Sequence, residues 1–196
     1  MKILLVLGHP DPASFNAGLA RALNDALREA GHDVIFHDLC AEGFPAAIPP
    51  AEFPKNAELE HYLKIHCQEL AFAEGIVIVH PNWWGMPPAV LKGWVDRVFR
   101  PGVAYEFLEG DDGEGVPKGL LKARVAVVFN TGNTPPQRER EVFGDPLERL
   151  WRDCIFDLCG VKEFHRRLFG MVVTSSPEQR EAWIKEAVDL AREVFG

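Results

Sequence analysis

The sequence predicts an α/β domain: a doubly wound, five-stranded parallel sheet in the spatial order 2-1-3-4-5, with a hairpin-like excursion after the third helix. Three observations carry this. Five short apolar runs recur along the chain, at Ile3 to Leu7, Val34 to Phe36, Ile76 to Val79, Val125 to Phe129 and Leu168 to Val173. They are rich in Val, Ile and Leu without alternation, the pattern of strands buried on both faces. The segments between them have helical spacing and exceed the roughly dozen residues a parallel crossover needs. The chain has 196 residues, 47% of them hydrophobic, which suits one domain over residues 1–196 with a full core.

The helices carry specific end signals. Ser14 is placed to cap the first, whose Leu19, Leu23, Ala26, Leu27 and Ala30 share a face closed by Gly31. Asn56 is the expected cap of the second, with Leu59, Tyr62, Leu63, Cys67 and Leu70 inward. Pro87 and Pro88 suit the first turn of a third helix running through Ala89 to Phe99. Asp145-Pro146-Leu147-Glu148 reads as a capping-box variant opening a fourth, with Leu147, Leu150, Trp151, Cys154, Ile155 and Leu158 on one stripe. Ser176-Pro177-Glu178-Gln179 repeats the device for the last, whose stripe is Ile184, Ala187, Val188, Ala191 and Val194. Pro101 to Gly119 breaks the alternation, and its Gly-rich acidic stretch, Gly110 to Gly115, reads as a solvated hairpin tip.

Composition excludes several function classes. Twenty-one basic against 29 acidic residues give a formal net charge of -8 with no basic run, so no nucleic acid or anionic membrane partner is expected. The longest uncharged stretch, Gly75 to Leu91, is interrupted by Pro81, Pro87 and Pro88. It falls short of the ~20 apolar residues of a membrane span. The opening run, Ile3 to Leu7, is shorter than a signal-peptide core, and a cytoplasmic protein is expected. Cys40, Cys67, Cys154 and Cys159 show neither CxxC spacing nor a disulfide framework and read as buried thiols. His61 and His66 would lie about 140° apart around a helix, so no metal site is expected from them.

In an open parallel sheet ligands bind beyond the carboxyl ends of the strands where strand order reverses, here between the first and third. Three loops converge there. The first, Gly8 to Asn16, lacks both GxGxxG and a P-loop. It offers His9, the Ser14 hydroxyl, Phe15, Asn16 and the free amides of a helix N-terminus, a seat for a phosphate; Ser14 reads equally as a plain cap. The second carries Pro81, Asn82, Trp83 and Trp84, an aromatic pair suited to stacking on a flat ring system, with core packing as the alternative. The third, Thr131, Gly132, Asn133 and Thr134, is small and rich in donors.

These loops sit within longer blocks: Gly8-His9-Pro10 with Ser14-Phe15-Asn16, His80 to Pro87, Leu91-Lys92-Gly93-Trp94-Val95-Asp96-Arg97-Val98-Phe99, and Gly102-Val103-Ala104-Tyr105. In order and over nearly the whole chain they resemble the flavodoxin-like NAD(P)H:quinone oxidoreductases. The resemblance implies FAD or FMN bound at the interface of a homodimer, with NADH or NADPH as electron donor and a quinone-like acceptor. Ser14, Phe15 and Asn16 would hold the phosphate or ribityl chain, Trp83 and Trp84 would line the isoalloxazine, and Thr131 to Thr134 would meet its polar edge. Tyr105 and Phe107 match positions that reach across the dimer to close the substrate pocket, which also includes Trp84.

The well-characterised quinone reductases carry a Tyr and a His beside the flavin, the His just before a Gly-Asp pair. Here Phe143 precedes Gly144-Asp145, and Pro135 to Val142 holds neither residue type. That relay is expected to be absent, so protons come from water or from a group the sequence does not identify, with His9 as a candidate. Hydride transfer through a flavin does not require it. The expected function is therefore two-electron, ping-pong reduction of quinones or similar flat electrophiles. The rival is a non-enzymatic electron carrier or regulatory flavoprotein, for which an exposed flavin edge would suffice.

Overall fold

The computed structural model describes residues 1–54, 56–108, 110 and 114–196. Five parallel strands, β1 (Lys2–Leu7), β2 (Asp33–Asp38), β3 (Gly75–Pro81), β6 (Val125–Thr131) and β7 (Glu163–Phe169), form one sheet in the order β2-β1-β3-β6-β7. This is the flavodoxin arrangement the sequence predicts. The three central strands are buried almost throughout, which explains their unbroken apolar runs. In register, Leu5 opposes Val77 and Val77 opposes Val127, so the core is built in level rows.

Helices α1 (Phe15–Glu29) and α6 (Pro177–Phe195) cover one face. Helices α2 (His61–Phe72), α3 (Ala89–Val98) and α5 (Pro146–Arg149), the last continuing as a π-helix over Leu150–Asp157, cover the other. The short helix α4 (Pro136–Glu141) follows β6. Ser14 caps α1 by accepting from the Ala17 amide, and Ser176 caps α6 by accepting from the Gln179 amide, both as expected. Gly31, at φ 87°, turns the chain out of α1. The excursion is a hairpin of β4 (Tyr105–Glu106) and β5 (Lys118–Gly119), antiparallel. Its expected tip lies partly outside the described residues.

Several element boundaries differ from the sequence reading, each for a tertiary reason. The fifth strand lies at Glu163–Phe169, earlier than the apolar run Leu168 to Val173. As an edge strand it needs no continuous apolar run: Phe164 faces the core while Arg167 reaches Glu186 on α6. Helix α2 begins at His61 with Glu60 as an unbonded cap, not at Asn56. The preceding Pro-rich segment forms a 3-10 turn, Pro50–Glu52, whose Glu52 carboxylate is drawn into the core by Arg97. Pro88 caps α3 from outside the helix and Phe99 follows its end. Asp145 makes no capping bond, because it sits at φ 47° with its carboxylate turned to Arg166. The wider π-helical turn brings Phe156 inward and leaves Cys154 exposed, against the expected stripe. Ala30, at the end of α1, is also exposed, and Cys40 is only half-buried. No helix among the described residues is long and apolar enough to cross a membrane.

Candidate active site

The carboxyl ends of β1, β3 and β6 bring all three predicted loops together. A cleft of about 190 Å³ is lined by His9, Ser14, Phe15, Asn16, Pro81, Asn82, Trp83 and Thr131 to Asn133, with Val172 closing one side. A second of about 380 Å³ is lined by Asn82, Trp84, Gly85, Gly132, Asn133, Thr134, Glu139, Phe143 and Pro146. The two share Asn82, Gly132 and Asn133.

Within the first cleft the residues divide between bracing and presentation. Asn16 and Thr131 are buried and spend their polar groups on each other, Asn16 Nδ2 donating to Thr131 Oγ1 at 2.8 Å and the hydroxyl donating back to Oδ1 at 3.2 Å. This ties the first loop to the third. Ser14 caps α1, and the amides of Phe15 and Asn16 make no hydrogen bond among the described residues. The Phe15 ring packs edge-on against Phe169 and Trp183. His9 Nδ1 accepts from the Asp11 amide at 3.0 Å, so in the neutral ring the proton sits on Nε2.

Trp83 to Met86 form a tight hairpin closed by two backbone hydrogen bonds of 3.1 Å between its end residues. Its central residues, Trp84 at φ 58° and Gly85 at φ 73°, are both left-handed, as a type I′ turn demands. Gly85 is required twice over, because a Cβ there would meet Pro146 Cγ at 2.8 Å. A tryptophan in this conformation carries about 1 to 2 kcal/mol of strain. Trp84 is nevertheless 97% exposed and Trp83 45%, which removes core packing as the reason for either ring. Trp84→Ala is therefore expected to change the unfolding free energy by no more than about 0.5 kcal/mol, where a core tryptophan would cost about 3 to 5, as urea denaturation of the two proteins would show.

Beneath the clefts lies a polar network that the sequence reading did not foresee. His80 is fully buried at the end of β3. Its Nδ1 donates to the Pro81 carbonyl at 2.8 Å, and its Nε2 receives the Trp151 indole N–H at 2.9 Å and the Asn130 amide N–H at 2.7 Å. Because a carbonyl only accepts and an indole only donates, the ring is held as the neutral Nδ1–H tautomer. Burial, with Arg166 adding positive charge nearby, pushes its pKa down to about 3. Arg166 bonds Asn130, Asp145 and Glu148, linking the strand ends to the Phe143–Pro146 wall.

His66 also has neighbours that helical spacing could not supply. Its ligand atoms and those of His37 and Glu42 lie within 4.8 Å of one another. Trp94 donates its indole N–H to His66 Nδ1 at 3.2 Å, which leaves the neutral ring's proton on Nε2, the atom an ion would need. His37 bonds Glu42 at 2.9 Å and Glu69 at 2.7 Å. Tyr105 and Phe107, in T-shaped contact at 5.8 Å, line a separate cavity of about 350 Å³ with Phe53 and Arg100. Within one chain they do not join Trp84.

Contiguous clefts with an aromatic wall, set at the topological switch point of a 2-1-3-4-5 sheet, define a flavodoxin-type binding protein. The chain belongs to the Flavodoxin_2 family, described as a flavodoxin-like fold, whose model matches residues 1–194. It is 29% identical to a protein of Haemophilus influenzae named as an uncharacterized NAD(P)H oxidoreductase, over 95% of this chain and 92% of the relative. It is 27% identical to mouse ribosyldihydronicotinamide dehydrogenase (quinone), over 91% of this chain and 86% of that one. The fold superimposes with TM-score 0.78 on an FMN-dependent NADH-azoreductase of Bacillus anthracis solved with FMN, at 16% identity and covering all of both chains.

Proposed function

We propose that this chain is a flavin-dependent NAD(P)H oxidoreductase that reduces quinones or similar flat electrophiles by two-electron, ping-pong transfer. The observation that carries the reading is the pair of adjoining clefts flanked by Trp83 and Trp84. The residues present fit a flavin. The open amides of Phe15 and Asn16 suit a phosphate at the positive end of α1, the exposed rings suit an isoalloxazine, and within the Thr131–Thr134 turn Asn133 and Thr134 suit its polar edge, with Thr131 bracing the turn through Asn16. When bound, the cofactor supplies hydride chemistry; the chain positions the reactants and screens them from water. Tyr105 and Phe107 serve a neighbouring subunit's pocket in a homodimer, in keeping with their lining a cavity that does not include Trp84.

Protein reconstituted with FMN or FAD is expected to show the two flavin absorbance bands and rapid bleaching on mixing with NADH or NADPH in a stopped-flow instrument. No uptake of either flavin at micromolar concentration, or no reduction by nicotinamide, would count against the reading, the latter favouring a carrier. Trp84→Ala is expected to weaken flavin or acceptor binding by up to about tenfold, the loss of one stacked partner. Sedimentation of the holoprotein is expected to give a dimer; monomer at all concentrations would remove the shared-pocket role of Tyr105 and Phe107.

A further inference from the structure

Glu139 lines the larger cleft beside Phe143 and Trp84, yet it is only 6% exposed. Its main chain is used, the amide donating to Pro135 and the carbonyl accepting from Asp145. Its carboxylate takes part in no hydrogen bond or ion pair among the described residues. The neighbouring cation of α4, Arg138, instead lies over the Phe143 ring at 5.5 Å from its centroid. The side chain is largely enclosed, yet neither carboxylate oxygen is sealed from solvent, so the group opens to the cleft and no protein contact explains its position. What it does offer is an unmatched acceptor and a negative charge in a cleft walled by apolar and aromatic groups, where Coulomb interactions are weakly screened.

We propose that Glu139 is a specificity-determining residue that biases this cleft toward flat acceptors carrying a positive charge or an N–H donor and against anionic ones. The proposal rests on the function proposed above, with the acceptor meeting the flavin at the Trp84 and Phe143 side of the larger cleft. It adds a substrate class to that reading.

The test uses the flavin-loaded protein, saturating nicotinamide donor, and three naphthoquinones of the same ring: neutral, trimethylammonium-bearing and sulfonate-bearing. The wild type is expected to favour the cation over the anion by about tenfold or more in kcat/KM, the size of effect one nearby unit charge produces at intermediate dielectric. Glu139→Gln should bring that ratio to within about twofold, mainly through KM, and Glu139→Asp should keep its direction. The formal charge of -8 itself attracts cations. Glu181→Gln, the same charge change on the exposed face of α6, should leave the ratio where it was. A wild type that does not discriminate between the charged quinones, or a Glu139→Gln protein that slows all three equally, overturns the proposal. Should the protein take up no flavin, the function proposed above fails by itself. Equilibrium dialysis of the same three quinones against the chain then reads the charge preference directly, and its absence rejects the role of Glu139.

Discussion

Glu52→Ala is expected to lower the unfolding free energy by about 3 to 5 kcal/mol, among the largest effects of any single substitution in this chain. Glu52 and Arg97 are 7% and 3% exposed. Arg97 Nε donates to Glu52 Oε2 at 3.0 Å, Nη2 donates to Oε1, and Nη1 donates to the Pro45 carbonyl. The guanidinium also lies 5.5 Å from the ring centroids of both Phe44 and Tyr62. Removing the carboxylate strands a largely buried cation that cannot shed its proton. The paired replacement Glu52→Leu with Arg97→Met should recover most of the loss, since a desolvated ion pair and an apolar pair of similar volume are near equal in stability. Urea denaturation of the wild type and these two variants provides the check. A loss under about 1 kcal/mol in the single variant would mean that water reaches the pair.

Stability is also expected to fall steeply in mild acid, by roughly 1 to 3 kcal/mol per pH unit between about pH 6 and pH 4. Burial holds His80 at a pKa of about 3. Burial and the adjacent charge of His37 hold His66 at about 4. Both lie below the 6.5 of an unfolded histidine, so below that pH the unfolded chain binds protons that the folded chain refuses. The stability these rings contribute is complete above pH 6.5 and drains away as pH falls toward the folded values. His37 acts in the opposite direction. Burial opposes its charge, but the hydrogen bonds it donates to the Glu42 and Glu69 carboxylates, with their negative charge, outweigh burial and raise its pKa, so its contribution is full below 6.5 and fades as pH rises through the raised value. Greatest stability is therefore expected near neutrality. His80→Gln keeps one donor and one acceptor but no titration, so its denaturation midpoints across that range should vary less with pH. An equal slope in both proteins would show that His80 does not carry the acid sensitivity.

The parts of the fold legible in the sequence are those where one physical requirement dominates. β1, β3 and β6 are buried on both faces, and nothing but an apolar run satisfies that. Ser14 and Ser176 cap helices by a local bond that needs no distant partner. The boundaries that moved depend on residues far away in the chain. Asp145 is turned by Arg166, the start of α2 is displaced by a turn that Arg97 anchors, and β7 shows its apolar side to one face only. The site divides in the same way. The three loops were readable because topology sends every strand's carboxyl end to one rim. Val172, Glu139 and the His80 network were not, because they enter from β7, α4 and the π-helix through packing that no local pattern records. Pro146 was legible only as the opening of a helix.

The five tryptophans fall into distinct optical environments. Trp94 and Trp151 are sealed in the core with their indole N–H groups bonded to His66 and His80, conditions that give short-wavelength emission beyond the reach of aqueous quenchers. Trp84 stands almost wholly in solvent at the tip of its hairpin, so it emits to the red and meets iodide or acrylamide freely. The strained turn thus gives the molecule a spectroscopic gauge of its own rim: whatever settles against Trp84 shifts and shields the red component, while the blue component continues to report the integrity of the core.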